Sequence, residues 1–162
     1  MVDIDFIDPY KVAEVITKEA PASEEEATGR DGNFGYLNAP RDSKVFDIGH
    51  GTGRLGKLLT EAGFTELHSA DASSEFVAKM APTGLYKSTR EYWFGRGTKN
   101  LPAEWKGEFD IVMATGVFTD DCIPCTGFDD AHALLKTGGH FVTCLRQYYL
   151  EDGHPSGYAS KI

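Results

Sequence analysis

A glycine-rich loop between a short apolar segment and an amphipathic one constrains this chain more than any other feature of its sequence. The segment KVFDI at residues 44–48 is apolar enough for a buried strand, and Gly49, Gly51 and Gly53 alternate directly after it. Residues 53–64 then carry leucines at helical spacing. Glycines let the backbone turn tightly and approach a ligand closely, and the start of a helix presents free N–H groups. The order strand, glycine loop, helix therefore predicts a ligand-binding βα unit.

The same alternation continues along the chain. Further strands are predicted at residues 65–71, 85–94, 109–118 and 140–146, and further helices at 9–20, 73–81 and 128–139. Strands that alternate with helices of about ten residues are typical of βαβ units, whose parallel sheet is covered on both faces. We therefore predict an α/β fold with a parallel sheet.

Composition narrows the class of protein. The 162 residues are 41% apolar and 12% aromatic, which is enough for the core of one domain. A net charge of −9 disfavours nucleic-acid partners, which need Lys and Arg against their phosphates. No apolar run is long enough to span a membrane, and the start MVDIDFIDPY has the character of neither a secretory signal nor a transit peptide. Three cysteines, an odd number, favour an intracellular protein, cytoplasmic by default, with the mitochondrial matrix left open.

Two acidic residues at strand ends bear on the ligand. Asp47 lies beside the glycines, and Asp71 ends the next predicted strand, where an acid is placed to bind ribose hydroxyls. Residues 51–56 also match the dinucleotide fingerprint GxGxxG, which keeps a nicotinamide-dependent oxidoreductase open as an alternative. A carboxylate at Asp47 would repel a pyrophosphate on the helix N-terminus and would suit a ligand with a cationic amino group.

With these residues the chain resembles the class I S-adenosylmethionine-dependent methyltransferases. The resemblance depends on Asp47-x-Gly49-x-Gly51-Thr52-Gly53 and on Asp71, and it covers roughly residues 44–146. The stretches LPAEWKGEFDIVMATGVF and ALLKTGGHFVTCLR are similar to the fourth and fifth strand regions of that family. More narrowly, LHSADAS, GLYKS, FDIVMATGVFTDDCIPC and LLKTGGHFVTCLR resemble the methyltransferase-like protein 27 (Williams–Beuren region) group.

The resemblance implies a Rossmann-like fold with strand order 3-2-1-4-5, S-adenosylmethionine as cofactor and S-adenosylhomocysteine as product. Asp47 and the glycine loop would hold the methionine part of the cofactor, Asp71 the ribose, and the residues after the fourth strand the methyl end. The implied cofactor-binding residues are Asp47, Gly49, His50, Gly51, Gly53, Asp71, Ala72, Ala114 and Thr115.

The ends of the chain depart from the family pattern. The family fold usually continues after the fifth strand with a helix and an antiparallel hairpin, whereas only 16 residues follow Arg146 here. We expect an N-terminal helix and loop segment at 1–43, a cofactor-binding domain at 44–146, and a short tail at 147–162 without that hairpin. The strand at 140–146 is apolar on both faces, so we expect its edge to pair with a partner chain, a second copy or another subunit.

These observations predict a methyltransferase that acts on a small molecule or a protein side chain, with no catalytic base identified. The alternative is a non-catalytic methyltransferase-like subunit with a structural role in a larger assembly. The sequence after the fourth strand, ATGV at 114–117, lacks the motif of nucleic-acid base methyltransferases. Asp120 and Asp121 are candidates for contact with a cationic substrate or for capping the next helix.

The cysteines and histidines give weaker signals. Cys122-Ile-Pro-Cys125 leaves a redox dithiol open beside the simpler interpretation as loop residues. His132, His140 and Cys144 do not have a recognised ligand spacing, so no metal site is predicted.

Overall fold

The computed structural model of the protein describes residues 8–18, 28–29, 32–33, 37–119, 121–151 and 153–161. Its helices are α1 (Asp8–Thr17), α2 (Arg54–Glu61), α3 (Ser74–Met80) and α4 (Gly127–Leu134). Its main strands are β1 (Val45–Ile48), β2 (Leu67–Asp71), β3 (Ser88–Glu91), β4 (Phe109–Ala114) and β5 (Leu135–Thr143). A separate two-residue ladder pairs Thr28–Gly29 antiparallel with Gly32–Asn33. Asp120 lies outside the described residues.

The five main strands form one parallel sheet in the order β3-β2-β1-β4-β5. This confirms the predicted α/β fold with order 3-2-1-4-5. β1 lies at the centre and is buried along its whole length. Because side chains alternate across a strand, Val45 packs with the helices α1 and α2 on one face, while Phe46 packs with Trp105 and Phe109 on the other.

The last helix and strand differ from the prediction. We expected a helix over 128–139, but α4 ends at Leu134 and β5 begins at Leu135. Gly138 has φ of +83°, and between the pairs Phe109–Leu135 and Ile111–His140 the register shifts by a bulge. The two glycines at 138–139 therefore form an irregularity within a strand rather than the end of a helix.

Other boundaries shift by a few residues. The first helix ends at Thr17 and not at residue 20, and the third strand is confined to Ser88–Glu91 within the predicted 85–94. β5 ends at Thr143, so 144–146 are not part of the strand. Hydrogen bonds to neighbouring strands determine where such short strands begin and end. The side-chain pattern alone does not determine these boundaries.

The segment after β5 packs into the core. Two short 3-10 turns, Gln147–Leu150 and Tyr158–Ser160, bring Tyr149 and Tyr158 into buried positions. The Tyr158 hydroxyl lies 3.0 Å from the carbonyl oxygen of Thr119 and 2.6 Å from that of Ile123. The tail is thereby fixed against the loop that follows β4.

Two further absences concern only the described part of the chain. None of its helices has the length and hydrophobicity needed to cross a bilayer. None of its clusters of His, Cys, Asp and Glu could hold a metal ion.

Candidate functional site

The glycine loop lies at the point where the order of the strands in the sheet reverses. From β1 the chain continues to β2 on one side, and β4 lies on the other. In open α/β sheets, ligands bind in the crevice at the carboxyl ends of the strands at such a switch point. Gly49, Gly51 and Gly53 all have positive φ, at +70°, +51° and +75°. Side chains rarely adopt this backbone conformation, so glycine is required for the shape of the loop.

The three glycines differ in what surrounds them. A Cβ added to Gly49 would lie 2.4 Å from Val117 Cγ1, and one on Gly53 would lie 2.5 Å from Met80 Cε. A Cβ on Gly51 would have no atom within 4 Å. Packing inside the protein therefore excludes a side chain at Gly49 and at Gly53. Gly51 instead borders open space that a ligand can enter.

Asp71 connects the glycine loop to the end of β2. Its Oδ2 accepts a hydrogen bond from the backbone N–H of Gly51 at 2.9 Å, and its Oδ1 accepts one from Ser73 at 2.8 Å. Ser73 is the N-cap of α3. Each carboxylate oxygen can accept more than one hydrogen bond, so Asp71 holds the loop and keeps acceptor capacity for ligand hydroxyls.

Asp47 is buried and bonded to a residue that sequence reasoning missed. The hydroxyl of Tyr86 donates to Asp47 Oδ2 at 2.6 Å. Burial raises the pKa of Asp47 to about 7, the hydrogen bond from Tyr86 opposes that rise, and the charge of Asp71 adds to it. Burial, and next the charge of Asp47, also raise the pKa of Tyr86.

Gly56 makes room for this pair. A Cβ on Gly56 would lie 2.3 Å from the hydroxyl oxygen of Tyr86. The third glycine of the GxGxxG string is thus explained by packing inside the protein. An unexplained glycine within an amphipathic helix was the sequence signal for a bulky neighbour.

His50 fastens the loop to β3. Its Nδ1 lies 3.0 Å from the carbonyl oxygen of Gly51 and its Nε2 lies 3.0 Å from Thr89 Oγ1. A carbonyl oxygen only accepts, so Nδ1 is the nitrogen that carries hydrogen toward it. The ring is buried with both nitrogens engaged inside the protein, which gives His50 a role in fixing the loop.

The remaining predicted residues lie along the same edge of the sheet. Ala72 is half-buried between Asp71 and Ser73. Ala114 is the buried last residue of β4, and its carbonyl oxygen accepts from Thr143 Oγ1 at 2.9 Å. Thr115 follows it and borders a cavity of about 280 Å³. The cavity is lined by Pro9, Thr115, Gly116, Phe118, Thr119, Cys144, Arg146 and Tyr149.

The cysteine pair lies beside the loop that follows β3. A Cβ on Gly95 would lie 2.6 Å from Pro124, and Thr126 Oγ1 donates to the Gly95 carbonyl oxygen at 2.8 Å. The buried Asp130 accepts from the N–H of Gly95 at 2.7 Å. Cys122 is exposed and Cys125 is half-buried. The CIPC segment and α4 thus support the β3 loop, and a redox role for the thiols stays a prediction.

Together, the sheet order and the glycine loop define the Rossmann-like fold of the class I S-adenosylmethionine-dependent methyltransferases. The chain is 30% identical over 106 residues to methyltransferase-like protein 27 of Homo sapiens, a match that includes 65% of this chain and 41% of that protein. The chain therefore spans about two fifths of the length of this relative. The predicted resemblance to the class and to that group is confirmed.

A solved structure supports this fold. A TehB-like SAM-dependent methyltransferase from Corynebacterium glutamicum matches with a TM-score of 0.50 and 20% identity over 65% of this chain and 55% of that one. An S-adenosylmethionine-dependent methyltransferase from Mesorhizobium loti has a TM-score of 0.48 and 22% identity over 63% and 46% of the two chains. No family model matches the sequence.

Proposed function

We propose that this chain binds S-adenosylmethionine at the glycine loop and transfers its methyl group to a small molecule or a protein side chain. The observation that carries the proposal is the open space at Gly51, in a loop that follows the buried Asp47 and whose backbone donates to the carboxylate of Asp71. The similarity to methyltransferase-like protein 27 supports the same function.

The charges of the site suit this cofactor. The ammonium group of S-adenosylmethionine is positive and matches Asp47, and its ribose hydroxyls match the remaining acceptor capacity of Asp71. A dinucleotide would bring a negatively charged pyrophosphate to the N-terminus of α2 beside the carboxylate of Asp47. The same residues therefore disfavour the nicotinamide alternative.

When bound, this cofactor supplies a methyl group on a positively charged sulfur, which an acceptor with a free electron pair can take by in-line displacement. The contribution of the protein is to bind and orient, because proximity and alignment can supply much of the acceleration in such a reaction. Asp71 and His50 keep the loop in its binding geometry, and Thr115 borders the cavity where an acceptor would enter.

The test is calorimetric titration of the full chain with S-adenosylhomocysteine and with NAD. We expect S-adenosylhomocysteine to bind and NAD not to bind. Gly51→Ala should lower the affinity by at least about tenfold, or 1.4 kcal/mol, because the methyl group enters the ligand space.

Gly84→Ala is the matched control. Gly84 also has positive φ, +69°, and a Cβ there would also meet no atom within 4 Å. Both variants bear the same backbone strain of about 1–2 kcal/mol, but only Gly51 is in the site. Binding of NAD without S-adenosylhomocysteine, or equal affinity of the two variants, would contradict the proposal.

A further inference from the structure

The β3 loop, residues 92–101, adjoins the cofactor site that we propose. The backbone N–H of Tyr92 donates to the carbonyl oxygen of Asp71 at 2.9 Å, so the loop begins beside the residue proposed to bind the ribose. Gly97 has φ of +92°, and a Cβ there would have no atom within 4 Å. The loop therefore borders open space at Gly97, as the glycine loop does at Gly51.

The order of the strands places the β3 loop at one end of a bound cofactor. β2 lies between β1 and β3, and ligands of open α/β sheets bind along the carboxyl ends of the strands. In S-adenosylmethionine the ribose connects the amino-acid part to the adenine base. With the amino-acid part at the glycine loop after β1 and the ribose at Asp71 after β2, the base extends toward the β3 loop.

The β3 loop is fastened at Gly95, two residues before Gly97. The N–H of Gly95 donates to Asp130 Oδ2 at 2.7 Å, and its carbonyl oxygen accepts from Thr126 Oγ1 at 2.8 Å. Gly95 has φ of +87°, and a Cβ there would lie 2.6 Å from the side chain of Pro124. Both backbone groups of this glycine are thus held by α4 and the segment that precedes it.

Asp130 makes its contact with Gly95 from inside the protein. It lies in the first turn of α4 and has no exposed surface. Burial raises the pKa of its carboxyl group, the backbone N–H of Gly95 opposes this rise, and the charge of Asp129 adds to it. A hydrogen bond that a carboxylate accepts is roughly twice as strong as one between neutral groups. Of the two hydrogen bonds that hold Gly95, the one to Asp130 is therefore expected to be the stronger.

We propose that Asp130 is a positioning residue that keeps the β3 loop in the conformation that receives the base end of the cofactor; the assignment rests on the proposed function above. Asp130 acts through the backbone of Gly95 and does not itself touch the ligand. Without its carboxyl group the loop is less fixed, and binding must then also order the loop, which lowers affinity. The effect is confined to ligands that reach the loop.

The experiment compares two ligands by calorimetric titration of the full chain. S-adenosylhomocysteine contains the amino-acid part, the ribose and the base, whereas 5′-methylthioadenosine contains the ribose and the base alone. We expect Asp130→Ala to lower the affinity for both ligands by at least about tenfold. Asp47→Asn should weaken S-adenosylhomocysteine alone, because only this ligand brings an ammonium group to the site.

Three further variants complete the series. Asp130→Asn keeps an oxygen that accepts from Gly95, so both affinities should stay within about threefold of wild type. Asp129→Asn is the matched control in the same helix turn and should change neither affinity, because Asp129 forms an exposed ion pair with Lys161. Thr126→Val removes the second hydrogen bond to Gly95 and should weaken both ligands, and it decides the test if Asp130→Ala does not fold.

The outcomes separate this proposal from the proposed function. If wild-type protein binds neither ligand, the proposed function itself is wrong. If it binds S-adenosylhomocysteine but not 5′-methylthioadenosine, the base end contributes too little and the role of Asp130 is overturned. The role is also overturned if Asp130→Ala binds both ligands as Asp129→Asn does, or if its loss is confined to S-adenosylhomocysteine. Where Asp130→Ala does not fold, unchanged affinities in Thr126→Val overturn it.

Discussion

The carboxylate of Asp47 is buried, and its burial makes the stability of the fold depend on pH. Its pKa in the folded protein is about 7, above the ordinary value of 3.8. The protonated form is therefore favoured by folding, and this contribution is lost as the pH rises through 7. Asp47 lowers the stability of the protein at neutral pH, which is consistent with its proposed role in binding a cation.

We predict that Asp47→Asn becomes more stable relative to wild type as the pH rises. The amide oxygen can still accept from Tyr86, but it does not titrate. Between pH 4 and pH 8 the difference in unfolding free energy should grow by about 4 kcal/mol in favour of the variant. Urea denaturation at several pH values measures it. Affinity for S-adenosylhomocysteine should fall in the same variant.

Tyr86→Phe is the counterpart of this change. It removes the hydroxyl that lowers the pKa of Asp47, so the decline in stability should extend to higher pH than in wild type. Parallel pH profiles for wild type and both variants would contradict the assignment to Asp47.

For Asp71 we predict a loss of both stability and affinity. Asp71→Ala leaves the N–H groups of Gly51 and Ser73 without their partner, at about 1–3 kcal/mol for each donor. Binding of S-adenosylhomocysteine should weaken by roughly 2–4 kcal/mol, since two charge-assisted hydrogen bonds are lost. Thermal unfolding and calorimetry measure the two effects.

Asp129→Ala is the control for Asp71. Asp129 forms an exposed ion pair with Lys161, and such a pair contributes at most about 1 kcal/mol. If Asp71→Ala changes stability as little as this control does, the carboxylate does not hold the loop.

At this scale the sequence identifies the residues that act within one local pattern. Asp47, Gly51 and Asp71 lie in a strand–loop–helix–strand unit whose geometry follows from the order of its residues. Tyr86 and Val117 reach the same unit from distant segments, 39 residues after Asp47 in the case of Tyr86. The spacing of residues within a local segment does not predict such contacts. Tyr86 could therefore not be predicted as the partner of Asp47.

Among the elements, strands surrounded by others were predicted best. β1 and β4 are buried and nearly all apolar, which leaves few alternatives to a strand, although β4 ends at Ala114 and not at the predicted residue 118. The boundary between α4 and β5 was wrong because glycines signal a break in regular structure without saying which kind. The bulge at Gly138 depends on the register with β4, which only the assembled sheet sets.

The predicted partner along residues 140–146 remains a prediction at the level of the element. In the part of the chain that the structure describes, β5 pairs with β4 on one side and with no strand on the other. Phe141 and Val142 are half-buried there. We propose that a second chain adds to this edge, since an open strand is a template for pairing.

Hydrogen exchange measures that pairing. Amides of residues 140–143 that point away from β4 should exchange rapidly in dilute protein and more slowly at high concentration if the partner is a second copy. Amides of β1 should be protected at both concentrations and serve as the internal reference. Protection of the outer amides of β5 in a dilute monomer would exclude the partner.

For the whole molecule, the aromatic tail contributes to stability. Tyr158 is buried and donates toward two backbone carbonyls of the loop after β4. Tyr158→Phe should lower the unfolding free energy by about 1–2 kcal/mol, because buried carbonyl groups lose their donor while the ring still packs.

Tyr10→Phe gives the comparison for Tyr158. Tyr10 is 55% exposed, so the same loss of a hydroxyl group should change the unfolding free energy by less than about 0.5 kcal/mol. Equal effects of the two substitutions would show that the Tyr158 hydroxyl does not fasten the tail.

The origin of the cavity walls has a consequence for how such proteins diverge. In the function that we propose, the groups that bind the cofactor belong to the sheet and its glycine loop, whereas Pro9 and Tyr149 in the cavity wall come from the two flanks of the fold. Mutations that reshape the flanks can alter which compound is accepted while the ancestral binding machinery remains intact. Substitutions in the flanks can therefore change the acceptor without destabilising the central sheet. Relatives that share this sheet need not share an acceptor.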